Sequence, residues 1–288
     1  MRTILITDSC CDLPYHYTKE NNIIVLPLTV HLKDKEIKDE LGKDNKYRAF
    51  YDLILSGEMP TTSQINAYTF KEEFEKHIKE GHNVIYIGFS SALSGCVNSA
   101  YLAVEELREE MEDVPVTVVD SKAASLGVGL LVYYANEFLK QGKSKDFVVA
   151  WLEENKLKVN HWFTVEDLNH LYRGGRVSKT AAAIGTILSI KPIMNVNDEG
   201  KLTPVFKAKG RKKSLNILLE QTKLNIVNPK EQIVFISHGG CEDEVAGLIA
   251  SIKEELKVKD VMINPIGAAI GSHAGPGTVA IFCLGEKR

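Results

Sequence analysis

The sequence predicts an α/β protein with an N-terminal Rossmann-like layer, a mainly parallel sheet with flanking helices, followed by a C-terminal α+β sandwich domain. Three observations carry this. Apolar runs of strand length alternate with amphipathic stretches in the first half, and after about Lys158 the pattern changes to short strands in hairpin spacing. The third is length: 288 residues exceed what one hydrophobic core usually organises, so two domains are expected, 1–158 and 159–288.

In the first half RTILIT, IIVLPLTVHL, NVIYIGF and PVTVVD read as strands. From Tyr101 to Met111, Leu102, Val104, Leu107 and Met111 recur at helical spacing opposite Glu105, Glu106, Glu109 and Glu110, which predicts a surface helix on a sheet. Between Leu32 and Asn66 the chain is polar and weakly periodic, a long excursion with one short helix from Tyr47 to Leu55; loops of that length are often functional. In the second half HWFTV, KPIMNV and KLTPVF read as short strands, the last two joined by a turn at Asn197, Asp198, Glu199 and Gly200. A helix from Lys212 to Leu224, the strand QIVFIS, a helix from Cys241 to Leu256, and the strands VMINPI and VAIFCL follow.

Composition narrows the function. With 35 Lys+Arg against 38 Asp+Glu the net charge is −3, which gives no electrostatic footprint for nucleic acid. The start MRTILITDSCC lacks the apolar core of a signal peptide, and no apolar run approaches the roughly 20 residues that span a bilayer, so a cytoplasmic location is expected. Five cysteines, two adjacent and three isolated, fit free thiols better than a disulfide framework or a CxxC clamp. There is no HExxH and no calcium-loop spacing, so no metal is expected.

Several strands end in small hydroxyl and glycine residues: TDSCCD, SSALSG and DSKAASLG. Loops at the carboxyl ends of parallel strands form the ligand crevice of such sheets, and exposed helix-start amides attract anions. Ser9, Ser94 and Ser121 fit helix capping as well, although Gly95 beside Ser94 permits close approach to a ligand. PTTSQ, from Pro60 to Gln64, supplies uncharged donors, or else is a polar turn before a helix. His273 sits among Gly267, Gly271, Gly275 and Gly277, more glycine than a structural histidine needs; His238 in ISHGG is a weaker candidate. LYRGGRVSKT offers Arg173, Arg176 and Lys179, and KGRKKS offers Arg211, Lys212 and Lys213, either as solvated faces or as recognition of a phosphate or carboxylate. Between them the small apolar stretch from Ala181 to Ile190 suits close approach of a helix or a hydrocarbon chain.

Nucleotide signatures fail. Gly275-Pro276-Gly277-Thr278-Val279-Ala280 matches a loose dinucleotide fingerprint, but a strand follows where a helix belongs. Gly142-Lys143-Ser144 ends like a P-loop, yet Glu137 occupies its first glycine position. Ser94, His273 and Asp120 could be drawn as a hydrolytic triad, without a GxSxG elbow to support it.

Taken together, TDSCCDL, TSQ, SSALSG, VVDSKAASLGVG, LYRGGRVSKT with ILSIKPI, and GSHAGPG resemble the DegV family in order and spacing over nearly the whole chain. Cys96 stands where Thr commonly follows SG, Ile65 where Pro commonly follows TSQ, and HGG where HAG is frequent; none of these removes a proposed polar contact. The resemblance implies one long-chain fatty acid bound between two domains, as ligand and not as cofactor. It implies that the carboxylate meets Thr62, Ser94 and His273 with the Gly95 amide nearby, and that Arg176 and Arg211 lie near the mouth for kinase or phosphate contact. The acyl tunnel is then expected along Phe163, Ala182, Ile184, Ile187, Ile266 and Ile270. The implied role is a carrier, without enzymatic activity of its own, that presents the acid to an ATP-dependent fatty acid kinase and passes the acyl phosphate to an acyltransferase, with transient membrane-surface contact. The alternatives are a serine hydrolase of lipid esters built on Ser94 and His273, and a lipid sensor or storage protein without a kinase.

Overall fold

A computed structural model describes residues 2–43, 47–179 and 189–288. The first half builds a four-stranded, all-parallel sheet from β1 (Thr3–Asp8), β2 (Ile24–Leu26), β6 (Asn83–Gly88) and β7 (Val116–Asp120), in the order β2-β1-β6-β7. Five of the six β6 residues are buried, as they must be in a parallel strand covered on both faces. Helices α3 (Ala67–Lys79) and α4 (Cys96–Glu110) pack together over β6 and β7, while α5 (Leu126–Lys140) and α6 (Lys145–Asn155) pack together on the other layer. A short α1 (Tyr15–Glu20) joins β1 to β2. The chain passes from β1 to β2 on one side and later returns to β6 on the other, a reversal of strand order that opens a crevice at the carboxyl ends.

Two expectations change. IIVLPLTVHL is not one strand: the chain breaks at Pro27, which lacks a ladder donor, and the Leu28 amide bonds the Ser9 hydroxyl at 3.0 Å. Beyond the break, β3 (Thr29–Leu32) pairs with β4 (Lys35–Lys38) and with β5 (Thr61–Ser63) in a separate antiparallel sheet. The PTTSQ stretch is thus an edge strand and not a turn, and the excursion carries α2 (Tyr47–Leu55) where the periodicity placed a helix. In α4 the buried stripe is Cys96, Ala100, Ala103, Val104 and Leu107, whereas Leu102 is 54% exposed. Small residues seat this helix close to its neighbours, so a reading weighted toward large apolar side chains began five residues late.

The second half forms a six-stranded sheet, β10-β9-β8-β13-β11-β12, from β8 (Val159–Thr164), β9 (Ile190–Val196), β10 (Leu202–Lys209), β11 (Ile233–His238), β12 (Asp260–Pro265) and β13 (Val279–Leu284). Only β11 and β12 run parallel. The β9–β10 hairpin turns at Asn197–Gly200, with Gly200 at φ +81°. α7 (Leu168–Arg173) follows β8; α8 (Arg211–Asn225) and α9 (Glu242–Ser251), which runs into a π turn at Ile252–Leu256, follow β10 and β11. α10 (Ala268–Ala274) precedes β13.

Strand alternation gives this sheet two apolar faces. Trp162, Ile193, Val234, Ile236 and Ile281 pack with Leu218, Val245 and Leu248 of α8 and α9. Phe163, Met194, Phe235, Ala280 and Phe282 join the large core that also contains β1 and β6. Helix α5 lies at that junction, touching β1 and β6 on one side and β8, β11 and β13 on the other. Its sequence LGVGLLVYYANEFLK is apolar nearly all round, and nine of its 15 residues are buried, which suits a helix without a solvent face over most of its length.

Candidate functional site

Three buried carboxylates shape the crevice. Asp8, at the end of β1, accepts from the Cys10 and Phe89 amides, each at 3.0 Å, and from the Tyr86 hydroxyl at 2.7 Å, so it ties the loops after β1 and β6 together. Asp12, at φ 51°, accepts from the Gly267 amide at 2.8 Å, and Asp39 accepts from the Ala269 amide at 2.9 Å. Both cap α10, the helix that carries His273. Burial pushes the Asp12 carboxyl up to about 8 and the Asp39 carboxyl up to about 6. TDSCCD drew attention to Asp12 as part of a loop cluster; no spacing in the sequence links it or Asp39 to the far end of the chain.

A cavity of about 160 Å³ opens between these loops, α10 and the inner face of the six-stranded sheet. Phe163, Phe282, Leu28, Leu93, Ile266 and Ile270 supply much of its apolar wall. Thr62, Ser94, Gly95, Arg176 and His273 line the same cavity. Ala182, Ile184 and Ile187 lie outside the described residues.

The polar residues form a connected corner. Thr62 Oγ1 and His273 Nε2 are 2.7 Å apart, linking the edge strand β5 to α10. Burial and the nearby Arg176 cation hold the His273 imidazole down to about 4, so it is neutral at pH 7. Gly174 packs against His273 Nδ1 so closely that a Cβ there would overlap it. Arg176 donates from Nε to the Leu93 carbonyl at 3.1 Å and from Nη1 to the Gly174 carbonyl, which places the guanidinium between the Ser94 loop and the His273 helix. It is half-buried, and burial lowers its pKa from the ordinary value. Its described partners are carbonyls, so its charge is not cancelled by them.

Ser94 donates to the Cys96 sulfur at 3.3 Å, a weak acceptor that leaves the hydroxyl free to switch to a better one. Gly95 is the N-cap of α4, where helix amides favour negative charge, and a Cβ on it would overlap the Gln64 amide group. Other polar groups in the wall are already engaged: Ser125 bonds Asp12 and Ser237, and His161 Nε2 accepts from the Ala124 amide at 3.3 Å.

Several highlighted residues fall elsewhere. Ser9 accepts from Leu28, and Ser121 accepts from the Ala123 amide at 3.1 Å, both structural roles. His238 is buried outside this cavity wall, and the partly exposed Asp120 also lies outside it, its carboxylate taken by Lys122 at 2.7 Å and by Ser91. The imagined triad is therefore not assembled: Ser94 bonds Cys96, His273 bonds Thr62, and Asp120 serves Lys122. Arg211 does not reach the cavity wall; it pairs with Glu244 at 2.6 Å and Glu166 at 3.4 Å on a neighbouring cleft. Carboxylates on the loop after β8 and on α9 compete for that guanidinium, which the run KGRKKS alone does not disclose. Gln64 of PTTSQ lines the cavity too, as do Cys10 and Phe89, which were not singled out because their context marks them only as a loop thiol and the end of an apolar strand.

A doubly wound sheet joined to a mixed one, with an apolar cavity and one uncharged hydroxyl–imidazole corner beside a single guanidinium, defines a small-ligand-binding α/β protein. Comparison with known sequences makes the class specific. A family model described as uncharacterised protein, DegV family, matches residues 2–286, and the chain belongs to the DegV family. A DegV domain-containing protein of Clostridium perfringens is 48% identical over 285 residues, covering 99% of this chain and 98% of that one. Among solved structures, a Thermus thermophilus DegV family protein described for fatty acid binding superposes with a TM-score of 0.89 at 33% identity, covering 99% of this chain and all of that one. The fatty acid kinase B3 protein of Streptococcus pneumoniae, loaded with linoleic acid, shares the fold at a TM-score of 0.85 and 23% identity, over 99% of this chain and 100% of that one. No helix of the described residues is long and apolar enough to cross a membrane.

Proposed function

We propose that this chain binds one long-chain fatty acid in the cavity and presents its carboxylate to a partner kinase. The observation that carries the reading is the join of an apolar wall to the corner made by Thr62, Ser94, His273 and Arg176. At about 0.8 kcal/mol per buried methylene, the tail of a 16-carbon acid contributes on the order of 11 kcal/mol before ordering costs are subtracted. Affinity resides in the tail and orientation in the head group.

A carboxylate removed from water needs donors for its oxygens. With neutral His273 donating from Nε2 to Thr62 Oγ1, the Thr62 hydroxyl hydrogen points onward to a carboxylate oxygen. Ser94 turns from its sulfur partner to the other oxygen, the Gly95 amide and the start of α4 add positive potential, and Arg176 supplies the countercharge. In the kinase step a carboxylate oxygen attacks the γ-phosphorus of ATP held by the partner, and ADP leaves with the β–γ bridging oxygen. The acyl phosphate then passes to an acyltransferase, a hand-over in which this chain touches the membrane surface briefly. Support for a kinase partner comes from the shared fold with the pneumococcal protein; the missing Ser94–His273 hydrogen bond argues against the hydrolase alternative.

The test is mass spectrometry of what co-purifies, followed by addition of an ATP-using kinase from the same cells. One fatty acid per chain and acyl phosphate formation dependent on both proteins are expected. Protein that retains no acid even after incubation with fatty acids would sink the binding claim; bound acid with no phosphorylation by any kinase fraction would leave a storage protein.

A further inference from the structure

At the opposite end of β6 from the cavity, the turn from α3 brings two imidazoles and a carboxylate together. We propose that His77, Glu80 and His82 bind a divalent transition-metal cation of the zinc type.

The local fold explains why they meet. Gly81, at φ +77°, ends α3, with the Gly81 amide bonding the Ile78 carbonyl at 2.9 Å and the His82 amide bonding the His77 carbonyl at 3.0 Å. That is a Schellman closure, and it sets the side chains of its first and last residues, here His77 and His82, side by side. Glu80 is the residue that caps the helix between them.

The atoms are placed as ligands. His77 Nδ1 lies 3.2 Å from Glu80 Oε2, and His82 Nδ1 lies 3.3 Å from the same oxygen; one ligand atom from each of the three residues falls within 4.8 Å of the other two. A tetrahedral cation with bonds of 2.0–2.1 Å sets neighbouring ligands about 3.3–3.4 Å apart. Glu73 Oε1, one turn earlier on α3, accepts from His77 Nε2 at 2.9 Å. His77 Nδ1 is itself in hydrogen-bond contact with Glu80 Oε2 at 3.2 Å, a contact the cation would replace; with the Nε2 proton given to Glu73, Nδ1 is free to ligate and Glu73 supplies the carboxylate–histidine support typical of metal ligands.

His82 gives a second, independent sign. Its Nδ1 is buried and makes no hydrogen bond, because the approach to Glu80 has the distance but not the geometry. A buried lone pair facing a carboxylate oxygen is unfavourable unless a cation or a proton stands between them. The cluster borders a cleft that also holds Arg2, Lys19 and Lys43, where a fourth metal position is reachable from solvent. The trio carries no signal in the sequence, because its spacing, two residues then one, has meaning only through the Schellman turn. The site is independent of the lipid reading and stands or falls without it.

The test titrates the metal-free full chain, in a Cys241→Ser background, with Zn²⁺ by calorimetry and with Co²⁺ by visible absorption near neutral pH. One equivalent per chain is expected, with a tetrahedral-type Co²⁺ spectrum free of thiolate charge transfer. His82→Ala and Glu80→Gln, both at partly exposed positions, should weaken Zn²⁺ by more than about tenfold, and Glu73→Gln by about 10–100-fold. Circular dichroism of each variant checks that the fold is intact. Absence of a saturable equivalent, or equal affinity in the parent, His82→Ala and Glu80→Gln proteins, would overturn the site.

Discussion

Two arginines of the second half, read from sequence as equals, occupy opposite electrostatic situations. Arg176 is half-buried against the carbonyls of Leu93 and Gly174, beside the cavity corner, and those dipoles orient its charge without neutralising it. Arg211 lies between the carboxylates of Glu166 and Glu244, which neutralise it where it stands. A basic residue is available to an incoming anion when its partners are neutral. Charge counted along a chain does not distinguish the two.

Experiments that separate the arginines come first. Arg176→Met should weaken fatty acid binding by about 10- to 100-fold, since hydrogen bonds to charged groups contribute roughly 1.5–3 kcal/mol; displacement of a fluorescent fatty acid measures it. If Arg211→Met matches that loss, the contrast between the two corners is wrong. Gly174→Ala, which removes no polar group, should push His273 off Thr62 and lower affinity by about tenfold, in line with the roughly 1–3 kcal/mol of overpacking.

The third test concerns protons. The His273 pKa falls from its ordinary 6.5 to about 4 on folding, so between those values the unfolded chain takes up more protons. Its contribution to stability is full above pH 6.5 and lost as pH falls toward 4. Asp12 and Asp39, raised by burial, slope the other way, so the comparison must be wild type against His273→Gln. In urea melts of ligand-free protein, the stability difference between the two should shrink as pH drops through that window; a constant difference would mean that His273 does not titrate there. Thr62→Val should weaken fatty acid binding about fivefold, the scale of one neutral hydrogen bond, as read by the same displacement assay. The smallest effect is expected from Arg211→Met itself: less than about twofold on lipid affinity, with a stability cost near 1 kcal/mol by thermal unfolding.

The same contrast shows what a sequence discloses. Strand-end loops rich in hydroxyls and glycine mark the crevice because parallel-sheet topology sends them to one edge, and TDSCCD, SSALSG and DSKAASLG do meet there, through Cys10, Ser94 and Ser125. Periodicity found α2, the β9–β10 hairpin and the two long helices of the second half, with ends shifted by a residue or so. It missed the split at Pro27 because an apolar run does not say which sheet each part joins. It could not place Arg211, whose partners lie 33 and 45 positions away, or connect Asp12 and Asp39 to α10, because those contacts depend on tertiary closure. The Thr62–His273 pair spans 211 positions, and only the family resemblance anticipated that the two would lie together.

Helix α5 is claimed from both sides, so the two halves of the molecule cannot swing apart like covers about a spine without tearing side chains from one sheet or the other. Whatever passes in or out of the interior must therefore use a local doorway. The rate of exchange should follow substitutions at the rim and be nearly indifferent to tethers placed between the distant faces.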